Sequence, residues 1–172
     1  MNKKIKISLP RYVVEIVEKD KNYFSISKDA IYNKILAGVG FNKIRKIETS
    51  IFDKKISVCF NLNNKNFSLF YEMLKFSKIE VENEFIRTLL IDYSNTHPSI
   101  REKLLNATLF RELEYAIKNK KMIKILYNEE VIDIFPLVFE RDKNTYYNNL
   151  KVSTKGEQKN LKIKDIEILK IL

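Results

Sequence analysis

The sequence predicts an α+β chain in which two strand-helix-helix repeats, over residues 1–108, precede a small β-barrel over residues 109–172. Three observations predict it. The basic alternating run Lys3-Lys4-Ile5-Lys6-Ile7-Ser8-Leu9-Pro10 recurs in altered form fifty-one residues later as Lys54-Lys55-Ile56-Ser57-Val58-Cys59-Phe60. Each copy is followed by about two helices' worth of amphipathic sequence. Beyond residue 108 the periodicity breaks into short β-like pieces separated by turn residues.

In the first repeat, Ile5, Ile7 and Leu9 alternate with Lys4, Lys6 and Ser8, a strand with one apolar face. Pro10 ends the strand and can open a helix, whose stripe Tyr12, Val13, Ile16 and Val17 runs to about Lys19. Asp20-Lys21-Asn22 reads as a turn. Ser27 is placed to cap a second helix carrying Ala30, Ile31, Ile35 and Leu36, which Gly38 and Gly40 end. Residues 41–53 form a short strand or a connector. In the second repeat Ile56, Val58 and Phe60 alternate with Lys55, Ser57 and Cys59, and Asn61–Asn66 reads as a polar turn. Phe67, Phe70, Tyr71 and Leu74 mark one helix; Phe85, Ile86, Leu89, Leu90 and Tyr93 mark another. His97-Pro98 interrupts the pattern, and a helix resumes from Ser99 to Asn106. One more helix carries Leu109, Leu113, Ala116 and Ile117. Strands are then expected at Met122–Tyr127, Glu130–Phe135, Thr145–Val152 and Lys159–Ile163, with turns at Arg141–Asn144 and Thr154-Lys155-Gly156.

Lys+Arg exceed Asp+Glu by 32 − 22 = +10, with 31% charged residues, so an anionic partner is expected and nucleic acid leads. Lys, Ile and Asn are all abundant, as an AT-rich genome alone would produce. The distribution is uneven, however: residues 1–50 hold 11 basic and 5 acidic side chains, residues 51–108 hold 8 and 7, and residues 109–172 hold 13 and 10. The single cysteine, Cys59, excludes an intrachain disulfide and a thiolate-rich zinc site. No apolar run approaches the length of a membrane span, and the start reads as a strand rather than a signal peptide, so a cytoplasmic protein is expected.

The strand Lys4–Leu9, the Pro10 stop and the helix start Ser25-Ile26-Ser27-Lys28-Asp29-Ala30-Ile31 resemble a ribbon-helix-helix DNA-binding motif. In that family two antiparallel strands place their polar faces in the major groove. The resemblance implies that Lys4, Lys6 and Ser8 read bases while Ser27 and Lys28 hold a phosphate at the helix N-terminus. The second copy departs from the pattern: its outward face is Lys55, Ser57 and Cys59, and its second helix opens with Glu80, Glu82 and Glu84. It is expected mainly to complete the fold in place of a second subunit.

The last sixty-odd residues resemble a WYL domain, a small Sm-like barrel found beside DNA-binding modules. The match runs through Leu113–Ile117, Met122–Tyr127, Phe135-Pro136-Leu137-Val138, Tyr146-Tyr147-Asn148 and Leu161–Ile166. Tyr146 stands where the family's Trp would be and Asn148 where its Leu would be; Tyr147 is retained. The resemblance implies a ligand- or nucleic-acid-sensing module, with Tyr127, Arg141, Tyr147, Lys162 and Lys164 as its binding groups.

No Walker-type loop is present among three glycines, and His97, the sole histidine, has no nucleophile partner nearby in sequence. Glu80, Glu82 and Glu84 are spaced for a solvated helix start rather than a metal site. The expectation is a non-enzymatic DNA-binding transcriptional regulator without metal or organic cofactor, binding nucleic acid, duplex DNA first, and sensing a nucleotide effector. A second expectation follows from accessory proteins of RNA-targeting CRISPR systems, which are similar in joining the same two modules. It is a single-stranded-RNA-binding protein that stimulates an effector nuclease. A toxin-neutralising antitoxin ranks below both. No membrane partner is expected, and an exposed barrel edge would favour a homodimer.

Overall fold

The computed structural model describes residues 3–49 and 53–172 and divides into two compact units, the first ending at Thr96 and the second beginning at His97. The first unit is strand-helix-helix twice over: β1 (Lys4–Pro10), α1 (Arg11–Phe24), α2 (Lys28–Val39), then β2 (Lys55–Asn61), α3 (Asn64–Ser77) and α4 (Glu82–Ser94). The two strands pair antiparallel, with Ile5 opposite Phe60, Ile7 opposite Val58 and Leu9 opposite Ile56. A two-stranded ribbon is marginal alone. Here its apolar face is buried, with Ile5, Ile7, Leu9, Val58 and Phe60 all at most 3% exposed. Val13, Val17, Ile31, Ile35, Phe70, Phe85 and Leu89 are buried with them, and Tyr32 stacks on Phe60 at 4.5 Å.

The expected turn at Asp20-Lys21-Asn22 is instead the last part of α1, which continues to Phe24 and stops at Ser25, a residue in the left-handed conformation (φ 52°). Asp20 is fully buried and accepts a 2.6 Å hydrogen bond from the Tyr93 hydroxyl of α4. A tertiary bond to a polar residue thus holds as helix what local propensity favours as a turn. Gly38 lies inside α2, and Gly40 follows its end. A Cβ on Gly40 would meet the Leu36 carbonyl of α2 at 2.6 Å and the Met73 sulfur of α3 at 2.5 Å; the methionine could move aside, but the backbone carbonyl could not, so the chain leaves α2 through a glycine.

A buried asparagine network ties α2 to the segment entering α3. Asn33 donates to the carbonyls of Asp29 and Asn61, both at 2.8 Å, and its own Oδ1 accepts from the Asn63 amide and from Asn66 Nδ2, both at 2.9 Å. Asn63 also caps α3 by accepting from the Asn66 amide. The polar stretch after β2 is therefore a cap and a network rather than a surface turn.

The second unit holds α5 (Pro98–Leu105), α6 (Ala107–Lys118), β3 (Ile123–Tyr127), β4 (Glu130–Arg141), β5 (Asn148–Thr154), β6 (Glu157–Lys162), a 3₁₀ turn (Ile163–Asp165) and β7 (Ile166–Ile171). Two departures from expectation concern this unit. The boundary falls at residue 97 rather than near 108, because α5 is bonded to the sheet: Glu102 Oε2 accepts from the Asn148 amide at 2.6 Å and from Asn148 Nδ2 at 2.8 Å. The sheet, moreover, is open rather than a closed barrel. Its order is β6-β5-β4-β3-β7, entirely antiparallel, and among the described residues no ladder joins the edge strands β6 and β7. A bulge between Pro136 and Val138 lets β4 pair with β3 over its first half and with β5 over its second, so the sheet curls without closing. Its concave core is Leu113, Ala116, Ile123, Ile125, Ile134, Leu150, Val152 and Ile163, with Phe110 of α6 covering it. Strand β7, which the sequence reading did not predict, pairs with β3. No helix among the described residues is long and apolar enough to cross a membrane.

Candidate nucleic-acid interface

Alternation decides what the ribbon presents to solvent. With Ile5, Ile7 and Leu9 buried, Lys4, Lys6 and Ser8 are exposed on the other face. Antiparallel register puts Asn61 beside Lys4, Cys59 beside Lys6, Ser57 beside Ser8, and Lys55 beside Pro10. Among the described residues Lys4, Lys6 and Lys55 make no ion pair. The outer face is therefore a polar two-stranded ribbon with three free ammonium groups, and Cys59 as its one soft side chain. Lys3 is spent elsewhere. Its Nζ bonds Glu82 at 2.7 Å and the Tyr71 hydroxyl at 3.2 Å, and lies 4.5 Å from the Phe70 ring centroid. Burial alone would lower the Lys3 ammonium, but the bonds to Glu82 and Tyr71 outweigh it and hold it above its ordinary value.

The helix ends flanking this ribbon are acidic. Ser27 caps α2 as expected, its Oγ accepting from the Ala30 amide at 3.2 Å, and Lys28 is exposed beside it. Asp29, one residue further, reaches the ribbon: its Oδ1 accepts from the Asn61 amide at 3.2 Å and its Oδ2 from Asn61 Nδ2 at 3.0 Å. The positive end of the α2 dipole thus already faces a carboxylate. Helix α4 opens with Glu82 and Glu84, the first bonded to Lys3 and the second 4.0 Å from Lys46. The Asp29–Asn61 link was not anticipated from sequence; its only signal there was an acid in the first turn after a serine cap.

In the second unit the five sequence-derived positions do not form one site: the ladders bring Arg141, opposite Asn148, and Lys162, opposite Asn149, to the end of the sheet where Tyr147 lies, while Tyr127 stands apart. Tyr147 is 1% exposed, so its ring belongs to the interior; its neighbour Tyr146 is the exposed one, at 53%. Tyr146 takes a left-handed backbone (φ 64°), and its ring meets His97 edge-on at 6.2 Å. Arg141 is exposed at the end of β4, Lys162 is exposed at the end of β6, and Lys164 lies 3.9 Å from Asp165. Tyr127 lines a different place, a cleft of about 580 Å³ between the β3–β4 and β5–β6 hairpin tips. Ile132, Val152 and Leu161 line it with Glu130, Lys155, Glu157 and Lys159, while Arg141, Tyr147, Lys162 and Lys164 do not. Asn148 is a structural residue, buried against Glu102 and the Ser99 carbonyl.

His97 caps α5 through Nδ1, which accepts from the Ser99 amide at 3.3 Å and lies 2.8 Å from the Ser99 hydroxyl, and Pro98 occupies the first helical position. Among the described residues no group of three or more His, Cys, Asp or Glu side chains is placed to hold a metal ion.

No family model and no curated protein matches the chain. In fold it is similar to a solved structure described as a CRISPR Cas-related protein, with a TM-score of 0.74 at 12% sequence identity, covering 97% of this chain. The chain spans 62% of the length of that protein, and at this identity the similarity is one of fold.

Proposed function

We propose that the chain is a non-enzymatic, single-stranded-RNA-binding accessory protein of a CRISPR system, acting beside an RNA-targeting effector nuclease. The observation that carries this reading is the acidity of the helix ends beside the ribbon. A ribbon docked in the major groove of duplex DNA is held there by phosphates at the helix N-termini on either side. Here Asp29 occupies one such end, and Glu82 and Glu84 stand at the other. What remains is an exposed row of lysines without the flanking phosphate grips, which suits a flexible single strand better than a rigid duplex. The fold similarity to a CRISPR Cas-related protein supports the same reading. On this reading the first unit is a ribbon-helix-helix framework and the second a WYL-type module, and the pair works without metal or cofactor.

The second reading, a transcriptional regulator reading duplex DNA through Lys4, Lys6 and Ser8, rests on the ribbon itself. Its outward face has the width and polarity that the major groove accepts, whereas the deep, narrow major groove of duplex RNA does not. Binding to labelled random single-stranded RNA and to random duplex DNA, across a salt series, separates the two. The expected result is tighter binding to the single strand, with the Lys4→Ala/Lys6→Ala variant losing part of the salt dependence. Tight duplex binding that this variant abolishes would overturn the RNA reading and leave the regulator.

A further inference from the structure

The second unit carries a basic surface at none of the positions read from sequence. Helix α6 ends at Lys118, and Lys120 and Lys121 follow in the turn that leads into β3. That turn abuts the far end of the chain, because the Leu172 amide donates to the Met122 carbonyl at 2.8 Å and Lys170 of β7 lies directly opposite Lys124 of β3. Five lysines from two distant segments therefore meet at one end of the sheet. Lys124 has an acid across the strand, Asp133 at 3.8 Å. Lys118, Lys120, Lys121 and Lys170 are exposed, and among the described residues none makes an ion pair.

Structural economy explains only part of this. The negative end of the α6 dipole favours Lys118. It does not account for Lys170 opposite Lys124, since like charges directly across a ladder are destabilising. Nor does it account for Lys120, which holds the left-handed position past the helix end (φ 49°), where glycine is the least strained residue. Upstream on the same stripe of α6, at i, i+4 and i+7, stand Arg111, Tyr115 and Lys118, all exposed, with Tyr115 at 52%. The acids nearby are few: Glu114 is bonded to Lys103 at 3.3 Å, Glu112 flanks the stripe, and Glu167 lies opposite Leu126 on β7.

We propose that Arg111, Tyr115, Lys118, Lys120, Lys121 and Lys170 form the single-stranded RNA track of the second unit. The lysines and arginine take backbone phosphates, and the Tyr115 ring offers a face on which a base stacks. The site deepens the proposed function and rests on it. Mutual repulsion among the lysines is what a polyanion relieves, and an exposed aromatic beside free ammonium groups is the arrangement that binds single strands with little regard to sequence.

The test uses the full chain and a short labelled oligouridylate, followed by anisotropy over a salt series. The variants are Lys118→Ala/Lys120→Ala/Lys121→Ala, its all-arginine counterpart, and Tyr115→Ala. Every changed side chain is exposed, so all should fold like the wild type by circular dichroism. The alanine triple should bind about tenfold more weakly, with a salt slope smaller by about 2, since each lost single-strand phosphate contact is worth roughly 0.7. The arginine triple should retain both. Tyr115→Ala should weaken binding with the slope unchanged, because stacking releases no counterion. Wild type that binds the oligomer, with an alanine triple that matches it, overturns this site and leaves the proposed function standing. Wild type that does not bind the oligomer overturns both. Binding of anionic phosphatidylserine vesicles through the same lysines, without binding of the oligomer, would assign the patch to a lipid surface and also overturn the proposal.

Discussion

Asn148 is a polar residue in a buried position, and its hydrogen bonds explain why it is tolerated there. Its side-chain amide donates to the Ser99 carbonyl and to Glu102 Oε2, both at 2.8 Å, and its backbone amide donates to the same carboxylate oxygen at 2.6 Å. Glu102 is fully buried, so a carboxylate that cannot reach water depends on these donors. Asn148→Leu would keep a side chain of similar size and yet withdraw one donor from the Glu102 oxygen. The expected loss is about 2–4 kcal/mol of unfolding free energy by urea melt. A neutral result would mean that Glu102 is held well enough by its other contacts. The same principle governs Asp20, where a buried acid meets the Tyr93 hydroxyl at 2.6 Å. Neither acid could be recognised as buried from sequence, because each partner lies far away in the chain: 46 residues separate Glu102 from Asn148, and 73 separate Asp20 from Tyr93.

Among the elements, the connection between β4 and β5 is built around one carboxylate. Asp142 Oδ1 accepts from the Asn144 amide at 2.9 Å and from the Thr145 amide and hydroxyl at 2.7 and 2.9 Å. Hydrogen bonds from Thr145 and Asn144 hold this carboxyl below its ordinary value. A depressed carboxyl contributes stability above its unfolded value, near 3.8, and loses it as pH falls through the lower folded value. Asp142→Ala should therefore lower Tm by roughly 2–4 °C at neutral pH, and the gap from wild type should close below about pH 4. A gap that persists at pH 2.5 would mean that the loop depends on something other than the charge. Local chemistry of this kind was legible in the sequence: the turn at Arg141–Asn144, the Ser27 cap and the alternation of both ribbon strands all rest on neighbours a few residues apart, whereas His97-Pro98, read as an interruption, is the capped start of α5. Strand β7 was not legible, because the 3₁₀ turn at Ile163–Asp165 interrupts the pattern and its pairing partner is β3, some forty residues earlier. The open sheet was hidden for a related reason. Closure is a property of which edges meet, and no local pattern records that β6 and β7 stay apart.

For the whole molecule, the positive surplus is shared between the units. Through Thr96 the sequence holds 17 basic and 11 acidic side chains, or +6, and from His97 onward it holds 15 and 11, or +4. Two basic surfaces follow from that division, the ribbon with Lys4, Lys6 and Lys55 and the lysine group around the end of α6. The sequence pointed to the first, because its lysines alternate within one strand. It concealed the second, because Lys170 joins Lys118, Lys120 and Lys121 only through the β3–β7 ladder. If both surfaces engage one RNA, the second contact is intramolecular, and affinity should rise with RNA length more steeply than the number of binding registers alone requires. The expected outcome is a dissociation constant that falls sharply once the oligouridylate is long enough to occupy both surfaces. In either the Lys4→Ala/Lys6→Ala variant or the Lys118→Ala/Lys120→Ala/Lys121→Ala variant that extra fall should disappear, leaving only the shallow statistical gain. Anisotropy titrations over a ladder of lengths at fixed salt would read this directly, since salt alone shifts such affinities strongly. A wild type with only the shallow gain would mean that each surface acts on its own, and that one of them serves a different partner.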